Sequence, residues 1–166
     1  MATSTLRQTR HLSISAWVVP GLLAGVVLAM WAMVVGLFTS SLWAPPQGIA
    51  QAIGIGAQGH DFQATPFVVG IMAHMMDAVV LGALFIAIAR ALRLAGAVSL
   101  VVSGMMYGLA VYGVMFWAVV RGILASNSTS FLTANPEWSW IVAHAMFGMA
   151  LGGMTARLFR REESTR

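Results

Sequence analysis

Residues 67–89 read FVVGIMAHMMDAVVLGALFIAIA and include a single acidic side chain, that of Asp77, and no lysine or arginine. Apolar residues occur all around the predicted helix, so this segment has no continuous polar face to present to water. As an α-helix it extends roughly 34 Å at about 1.5 Å per residue, which exceeds the ~30 Å hydrocarbon core of a bilayer. The segment therefore predicts a membrane-spanning helix.

Three further segments have the same character, residues 16–38, 96–120 and 138–159. The chain of 166 residues is 59% apolar and 8% charged, whereas soluble domains carry about 25% charged residues, so a water-soluble globular protein is excluded. No segment alternates with a period of two, which excludes a β-barrel. We predict an all-α, integral membrane four-helix bundle that forms one domain over residues 16–159, with tails at 1–15 and 160–166.

The distribution of arginine predicts the orientation of this bundle. The chain has no lysine, and eight of its nine arginines lie on one side of the predicted spans: Arg7, Arg10, Arg90, Arg93, Arg157, Arg160, Arg161 and Arg166. Positively charged residues favour the cytoplasmic side, so we expect both termini in the cytoplasm, in a bacterial inner membrane. The charge then serves topology and contact with anionic lipid, and no nucleic-acid partner is expected. The absence of cysteine excludes disulfides, thiolate metal sites and cysteine nucleophiles.

The longer of the two loops on the other side, residues 39–66, reads TSSLWAPPQGIAQAIGIGAQGHDFQATP. Pro45 and Pro46 end the first span and favour the start of a new helix. Ile49, Ala50 and Ile53 then form one apolar face of a short interfacial helix that lies along the membrane surface. This segment is a lid over the bundle, a docking surface for a partner, or a cap on the helix ends.

The two halves of the chain share a pattern. AHMMDAVVLG begins at Ala73 and AHAMFGMALG begins at Ala143, and GVVLAMWAMVVG from Gly25 matches GLAVYGVMFWAV from Gly108 more faintly. We therefore predict two duplicated helical hairpins, inserted in the same direction and related by an axis along the membrane normal. The alternative is chance matching between helices that are all rich in alanine, glycine and methionine.

Small residues recur at intervals of four within all four spans. They are Gly21, Gly25 and Ala29; Ala78 and Gly82; Gly104 and Gly108; and Gly148 and Gly152. This spacing lets helix backbones approach closely, which favours helix association in lipid. It predicts a tight bundle without a wide pore, and leaves open an association with itself or with other membrane-protein subunits.

His74 and His144 occupy equivalent positions in the proposed repeat, at nearly the same depth. Ionisable residues inside a membrane are candidates for functional sites. Two imidazoles at matched depth are candidates for axial ligands of a haem or for hydrogen bonds to a quinone. The alternative is that each histidine donates a hydrogen bond to a backbone carbonyl or a hydroxyl. No third ligand accompanies them, so no metal site is predicted.

Asp77 lies one helical turn from His74 on the same face, where a charge costs at least about 2.5–3.5 kcal/mol. The carboxyl group is a candidate for orienting His74, for being protonated beside Tyr107 or Tyr112, or for lining a proton path. If the chain holds a catalytic or proton-relay site, we expect it at Asp77, His74 and Tyr112. The methionines that flank the histidines are interpreted as core filler.

Several segments carry a resemblance to a known group: GLLAGVVLAMWAMVVGLFTSSLWAPPQGIA from Gly21, HMMDAVVLG from His74, YGLAVYGVMFW from Tyr107 and AHAMFGMALG from Ala143. On these segments the chain is similar in layout to the YagU-like proteins, small bacterial inner-membrane proteins of unknown function. The resemblance supports the four-helix architecture and implies no activity.

The sequence contains no recognised catalytic motif and has little mass outside the predicted spans. We therefore expect a non-enzymatic accessory subunit of a larger bacterial respiratory or photosynthetic complex. One alternative is a redox module that binds haem or quinone at His74 and His144. Another is a small proton-coupled transporter or channel centred on Asp77.

Overall fold

The computed structural model describes residues 13–164, which form six α-helices and no strand. The helices are Ile14–Thr39 (α1), Ala44–Ala52 (α2), Ala64–Ala91 (α3), Ala97–Tyr112 (α4), Thr129–Ala134 (α5) and Glu137–Ser164 (α6). Four helical segments are long and apolar enough to cross a membrane, namely α1, α3, α6 and the continuous segment Ala97–Ile123. The predicted all-α four-helix bundle is confirmed. Arg7, Arg10 and Arg166, which support the predicted orientation, lie outside the described residues.

The third long segment is not a regular α-helix along its whole length. After α4, residues Gly113–Ile123 form a π-helix, and a short 3-10 turn at Ala125–Asn127 leads to α5. The sequence predicts an ordinary α-helix here, because its apolar pattern does not reveal the extra residue per turn. Most π-helices are single-turn insertions, and they are frequent at functional sites. A π-helix of this length therefore suggests a functional site in its vicinity.

The long helices place both ends of the described chain at one end of the bundle. Arg90, at the end of α3, forms an ion pair with Glu162 near the end of α6 and lies 5.9 Å from the ring centroid of Trp17 near the start of α1. We call this the terminal end. The opposite end, where α2 and α5 pack against each other, we call the cap end.

Close packing is confined to particular helix pairs. α1 packs against α3 and α6, and α6 packs most extensively against α4. By contrast, α3 and α4 make few contacts although they follow each other in the chain. Packing is therefore close within these pairs, whereas a gap separates α3 from the third long segment.

The small residues predicted to mediate packing are buried between helices of this chain, except Ala29, which is partly exposed. The backbone of Gly21 in α1 contacts that of Gly82 in α3. In the other pair, Gly104 of α4 lies against Gly148 and Gly152 of α6. A Cβ atom at any of these glycines would meet backbone atoms of the neighbouring helix, so glycine permits the close approach.

At the cap end, α2 begins at its two prolines as the sequence predicts and packs against α3 and α5. Gly70 of α3 allows the backbone at Pro46 to approach, since a Cβ there would collide with the Pro46 carbonyl oxygen. The buried side-chain amides of Gln47 and Gln51 donate to the carbonyl oxygens of Asp61 and Ala57, at 2.8 and 2.7 Å. These bonds hold the following loop against α2, so the loop and α2 form one packed layer at the cap end.

Candidate functional site

The gap between α3 and the π-helix contains a cavity of about 310 Å³. Its walls come from all four long helical segments, and α2, Leu124 and Phe131 contribute from the cap end. Apolar side chains form most of the lining. Asp77, one of the lining residues, is about 20 Å along α3 from its first residue at ~1.5 Å per residue, near the middle of that helix.

Three titratable side chains line this cavity, those of His74, Asp77 and His144. His74 and Asp77 are three residues apart on α3, a spacing that places them on one helix face. His144 reaches the cavity from α6 on another wall. The structure therefore brings together three of the four candidate residues predicted from the sequence.

The hydrogen bond of His74 determines its tautomer. Nε2 of His74 lies 3.0 Å from the carbonyl oxygen of Gly25 in α1. A carbonyl oxygen only accepts hydrogen bonds, so Nε2 carries the proton and donates it. In the neutral imidazole, Nδ1 then has a lone pair that accepts.

His144 has the opposite tautomer by the same argument. Its Nδ1 donates to the carbonyl oxygen of Trp140, one turn earlier in α6, at 2.7 Å. In the neutral ring, Nε2 is therefore the acceptor. The ring also makes an edge contact with the aromatic ring of Tyr112, with centroids 5.6 Å apart.

Asp77 is half-buried, and no hydrogen bond or ion pair to its carboxylate is found within residues 13–164. The imidazole of His74 is near enough to interact with it electrostatically. A carboxylate in an apolar cavity is costly unless a partner or a proton compensates its charge. Asp77 is thus the group in this cavity that most needs a partner or a proton to compensate its charge.

Neither Tyr107 nor Tyr112 donates a hydrogen bond to Asp77. The hydroxyl of Tyr107 donates to the carbonyl oxygen of Leu81 at 2.8 Å. The hydroxyl of Tyr112 donates to Oε1 of Glu137 at 3.0 Å, and Glu137 also forms an ion pair with Arg121. Tyr112 therefore belongs to a polar cluster near the cap end, and its hydroxyl is not bonded to Asp77 or His74.

The hydrogen bonds decide which nitrogen each neutral histidine would offer to a haem iron. At His74 the free nitrogen is Nδ1, because Nε2 donates to Gly25. At His144 it is Nε2, because Nδ1 donates to Trp140. Within the described part of the chain no group of three His, Cys, Asp or Glu side chains is arranged to hold a metal ion.

Aromatic side chains of the cavity were not identified from the sequence. Phe131 and Trp140 stack with centroids 4.6 Å apart, and both line the cavity together with Phe147. Trp140 and Phe147 were accessible to sequence reasoning, because they lie four residues before and three residues after His144. Phe131 was not, because it belongs to the short α5 helix, within the mostly polar segment 121–137 that connects two predicted spans.

Comparison with family models, with curated proteins and with solved structures gives no match for this chain. The resemblance to YagU-like proteins stays a prediction.

Proposed function

We propose that the protein binds a lipophilic molecule from the bilayer in the cavity between α3 and the π-helix. The observation that carries this proposal is the convergence of His74, Asp77 and His144 on one cavity that is otherwise mainly apolar. Ligand sites generally combine an apolar lining with a few polar groups, in volumes of about 300–1,000 Å³. The cavity meets this description.

The packing around the cavity suggests how a ligand enters. Close helix contacts seal the bundle between α1 and α3 and between α4 and α6, whereas α3 and α4 make few contacts. Met115, Phe116, Val119 and Val120 of the π-helix line the side of the cavity next to that gap. A ligand dissolved in the bilayer would enter between α3 and the π-helix without passing through the cap.

A pair of valines in the π-helix provides the experimental test. Val119 lines the cavity, whereas Val114 is 60% exposed on the outside of the same helix. We expect Val119→Trp to fill the cavity and Val114→Trp to leave it open. Each variant is purified from native membranes in a gentle detergent, and bound molecules are identified by mass spectrometry of an organic extract.

The proposal predicts a stoichiometric lipophilic compound with the wild type and Val114→Trp, and its loss from Val119→Trp. Ala73→Leu, which fills the cavity from α3, is the second variant in case the tryptophan prevents folding. Identical extracts from all four proteins would contradict the proposal.

Among the functions predicted from the sequence, a quinone-binding redox module is the most similar to the binding of a lipophilic molecule proposed here. His74 and His144 support it, since both rings offer an acceptor nitrogen that suits the hydroxyl groups of a quinol. Quinone in the extract, lost on filling the cavity, would identify the ligand class. An absorption spectrum of the same sample tests the haem alternative.

A proton-coupled transporter centred on Asp77 is supported by the position of that carboxyl group near the middle of α3. It requires flux in proteoliposomes that Asp77→Asn abolishes. The accessory-subunit function has less support than the sequence suggests, because the glycine faces that favoured a partner are buried between helices of the same chain. Co-purification with a large complex would restore it.

We further propose the location and origin predicted from the sequence, a bacterial inner membrane with both termini in the cytoplasm and a duplicated hairpin. Arginines support the orientation, since Arg90, Arg93, Arg157, Arg160 and Arg161 belong to the terminal end while Arg121 lies towards the cap end. The equivalent register of the glycine contacts in the two helix pairs supports the duplication.

A further inference from the structure

We propose that the ligand of this cavity is a lipophilic organic cation, whose charge is held by Asp77. This inference rests on the proposed function, because it assigns a chemical class to the molecule bound in the same cavity. It follows from the charges, the hydrogen-bonding capacity and the aromatic rings of the lining residues.

When Asp77 is ionised, the cavity has a negative charge without a fixed positive counterpart. Asp77 is the one acidic residue among its lining residues, and none of them is lysine or arginine. The π-helix carries one arginine, Arg121, which forms an ion pair with Glu137 at 3.2 Å and lies over the rings of Phe116 and Trp117. A bound cation would supply the compensating charge inside a mainly apolar lining.

The hydrogen-bonding groups favour the same kind of ligand. In its neutral form, each histidine donates one N–H group to a backbone carbonyl and presents the other ring nitrogen as an acceptor. The carboxylate of Asp77 is also an acceptor, and the indole N–H of Trp140 is buried without a partner in the described chain. Apart from this indole N–H, which is a donor, the polar groups of the cavity are acceptors and attract positive charge or hydrogen-bond donors.

Aromatic rings complete the match to an organic cation. Phe131, Trp140 and Phe147 line the cavity, and the first two form a stacked pair. The faces of aromatic rings attract cations, most strongly where the cation is desolvated. A carboxylate combined with aromatic walls selects a cation of low polarity, whereas a small hydrated cation would find too few oxygen ligands.

Two probes of the same shape isolate the effect of charge. The 1-methyl-4-phenylpyridinium ion is an aromatic cation, and 4-methylbiphenyl is its neutral counterpart with carbon in place of the charged nitrogen. Equilibrium dialysis measures the binding of each probe to the protein in nanodiscs, with empty nanodiscs subtracted. Asp77→Asn removes the charge, and Asp61→Asn, in the exposed loop at the cap end, is the matched control.

We expect saturable binding of the cation to the wild type and to Asp61→Asn. Asp77→Asn should weaken it by at least about tenfold, which corresponds to one interaction of about 1.4 kcal/mol. The neutral probe should bind the wild type and Asp77→Asn equally. If Asp77→Asn binds the cation as well as the wild type does, or the wild type does not bind it, the inference is wrong.

Failure of the inference is distinguishable from failure of the proposed function. If both probes bind alike and Val119→Trp weakens both relative to Val114→Trp, the cavity binds lipophilic molecules without selecting charge. If Val119→Trp and Ala73→Leu leave the binding of both probes unchanged, the cavity is not the binding site and both proposals are wrong.

Discussion

The pair α1–α3 and the pair α4–α6 cross in similar ways but surround the cavity with different chemistry. In the sequence alignment of the two halves, Gly21 corresponds to Gly104 and Gly82 to Gly152. Gly21 contacts Gly82 within the first helix pair, and Gly104 contacts Gly152 within the second. The two crossings thus use small residues in the same register.

The pairs diverge one turn after each histidine. Phe147 is 2% exposed and packs in a core cluster with Leu28, Phe85 and Leu151. Asp77, its counterpart, faces the cavity and has no such packing role. The two pairs thus share their helix crossing but differ at this position, where Phe147 stabilises the core and Asp77 brings a carboxyl group to the cavity.

The largest expected difference in the free energy of unfolding is between Phe147→Ala and Asp77→Ala. Phe147→Ala removes a buried ring and should lower the free energy of unfolding by about 3 kcal/mol, the lower end for buried phenylalanine, because lipid already provides an apolar surrounding. Asp77→Ala should not lower it, since it removes a polar group that is costly in an apolar cavity and has no bonded partner. Unfolding in mixed micelles of increasing dodecyl sulfate content measures both values. Equal losses would contradict the division of roles.

A smaller loss is expected at the helix crossing itself. Ala78 of α3 already carries a Cβ atom, whereas a Cβ at its counterpart Gly148 would meet the backbone of Gly104 and Met105. Gly148→Ala should therefore force α4 and α6 apart and lower the free energy of unfolding by about 1–3 kcal/mol.

The matched control for this substitution is Gly153→Ala on the same helix. The nearest atom to a Cβ there is a methyl carbon of Val101 at 3.9 Å, which is ordinary contact. It should be neutral or stabilise the helix by up to about 1 kcal/mol, because alanine has the higher helix propensity. Loss of stability in both variants would show that the crossing is not specially tight.

The four-helix architecture was accessible from the sequence because membrane spans depend on length and apolar content, both of which are local properties. The convergence of His74 and His144 could also be anticipated, since the predicted repeat would place them at nearly the same depth. Asp77 was identified for the same reason, as an acidic residue within an apolar span.

The cavity and its walls could not be predicted in the same way. They depend on α3 and α4 standing apart, which is a long-range result of how α1 and α6 pack between them. The π-helix has no clear sequence signature, and Phe131 reaches the cavity from a segment that looks like a turn. Tyr112 was grouped with Asp77 by depth alone, whereas its hydroxyl is bonded to Glu137.

The two histidines allow a finer test of the comparison. His74 donates to Gly25 in α1 and so connects two helices, whereas His144 donates to Trp140 in its own helix. Hydrogen bonds between membrane helices contribute on average about 0.6 kcal/mol and at most about 1.7 kcal/mol. His74→Leu should lower the free energy of unfolding by an amount in this range, and His144→Leu by less. The reverse order would contradict the assigned hydrogen bonds.

The smallest effect is expected at the ion pair between Arg121 and Glu137, where each side chain is more than a third exposed. Exposed ion pairs contribute about 0.2–1 kcal/mol and weaken as salt rises. Glu137→Gln should therefore lower the free energy of unfolding by less than about 1 kcal/mol, and by still less in high salt. Glutamine keeps an oxygen that accepts from Tyr112, so ligand binding in the cavity should not change. A change in cation affinity would instead show that this cluster contributes to the charge that the ligand experiences, and would extend the site from Asp77 towards the cap end.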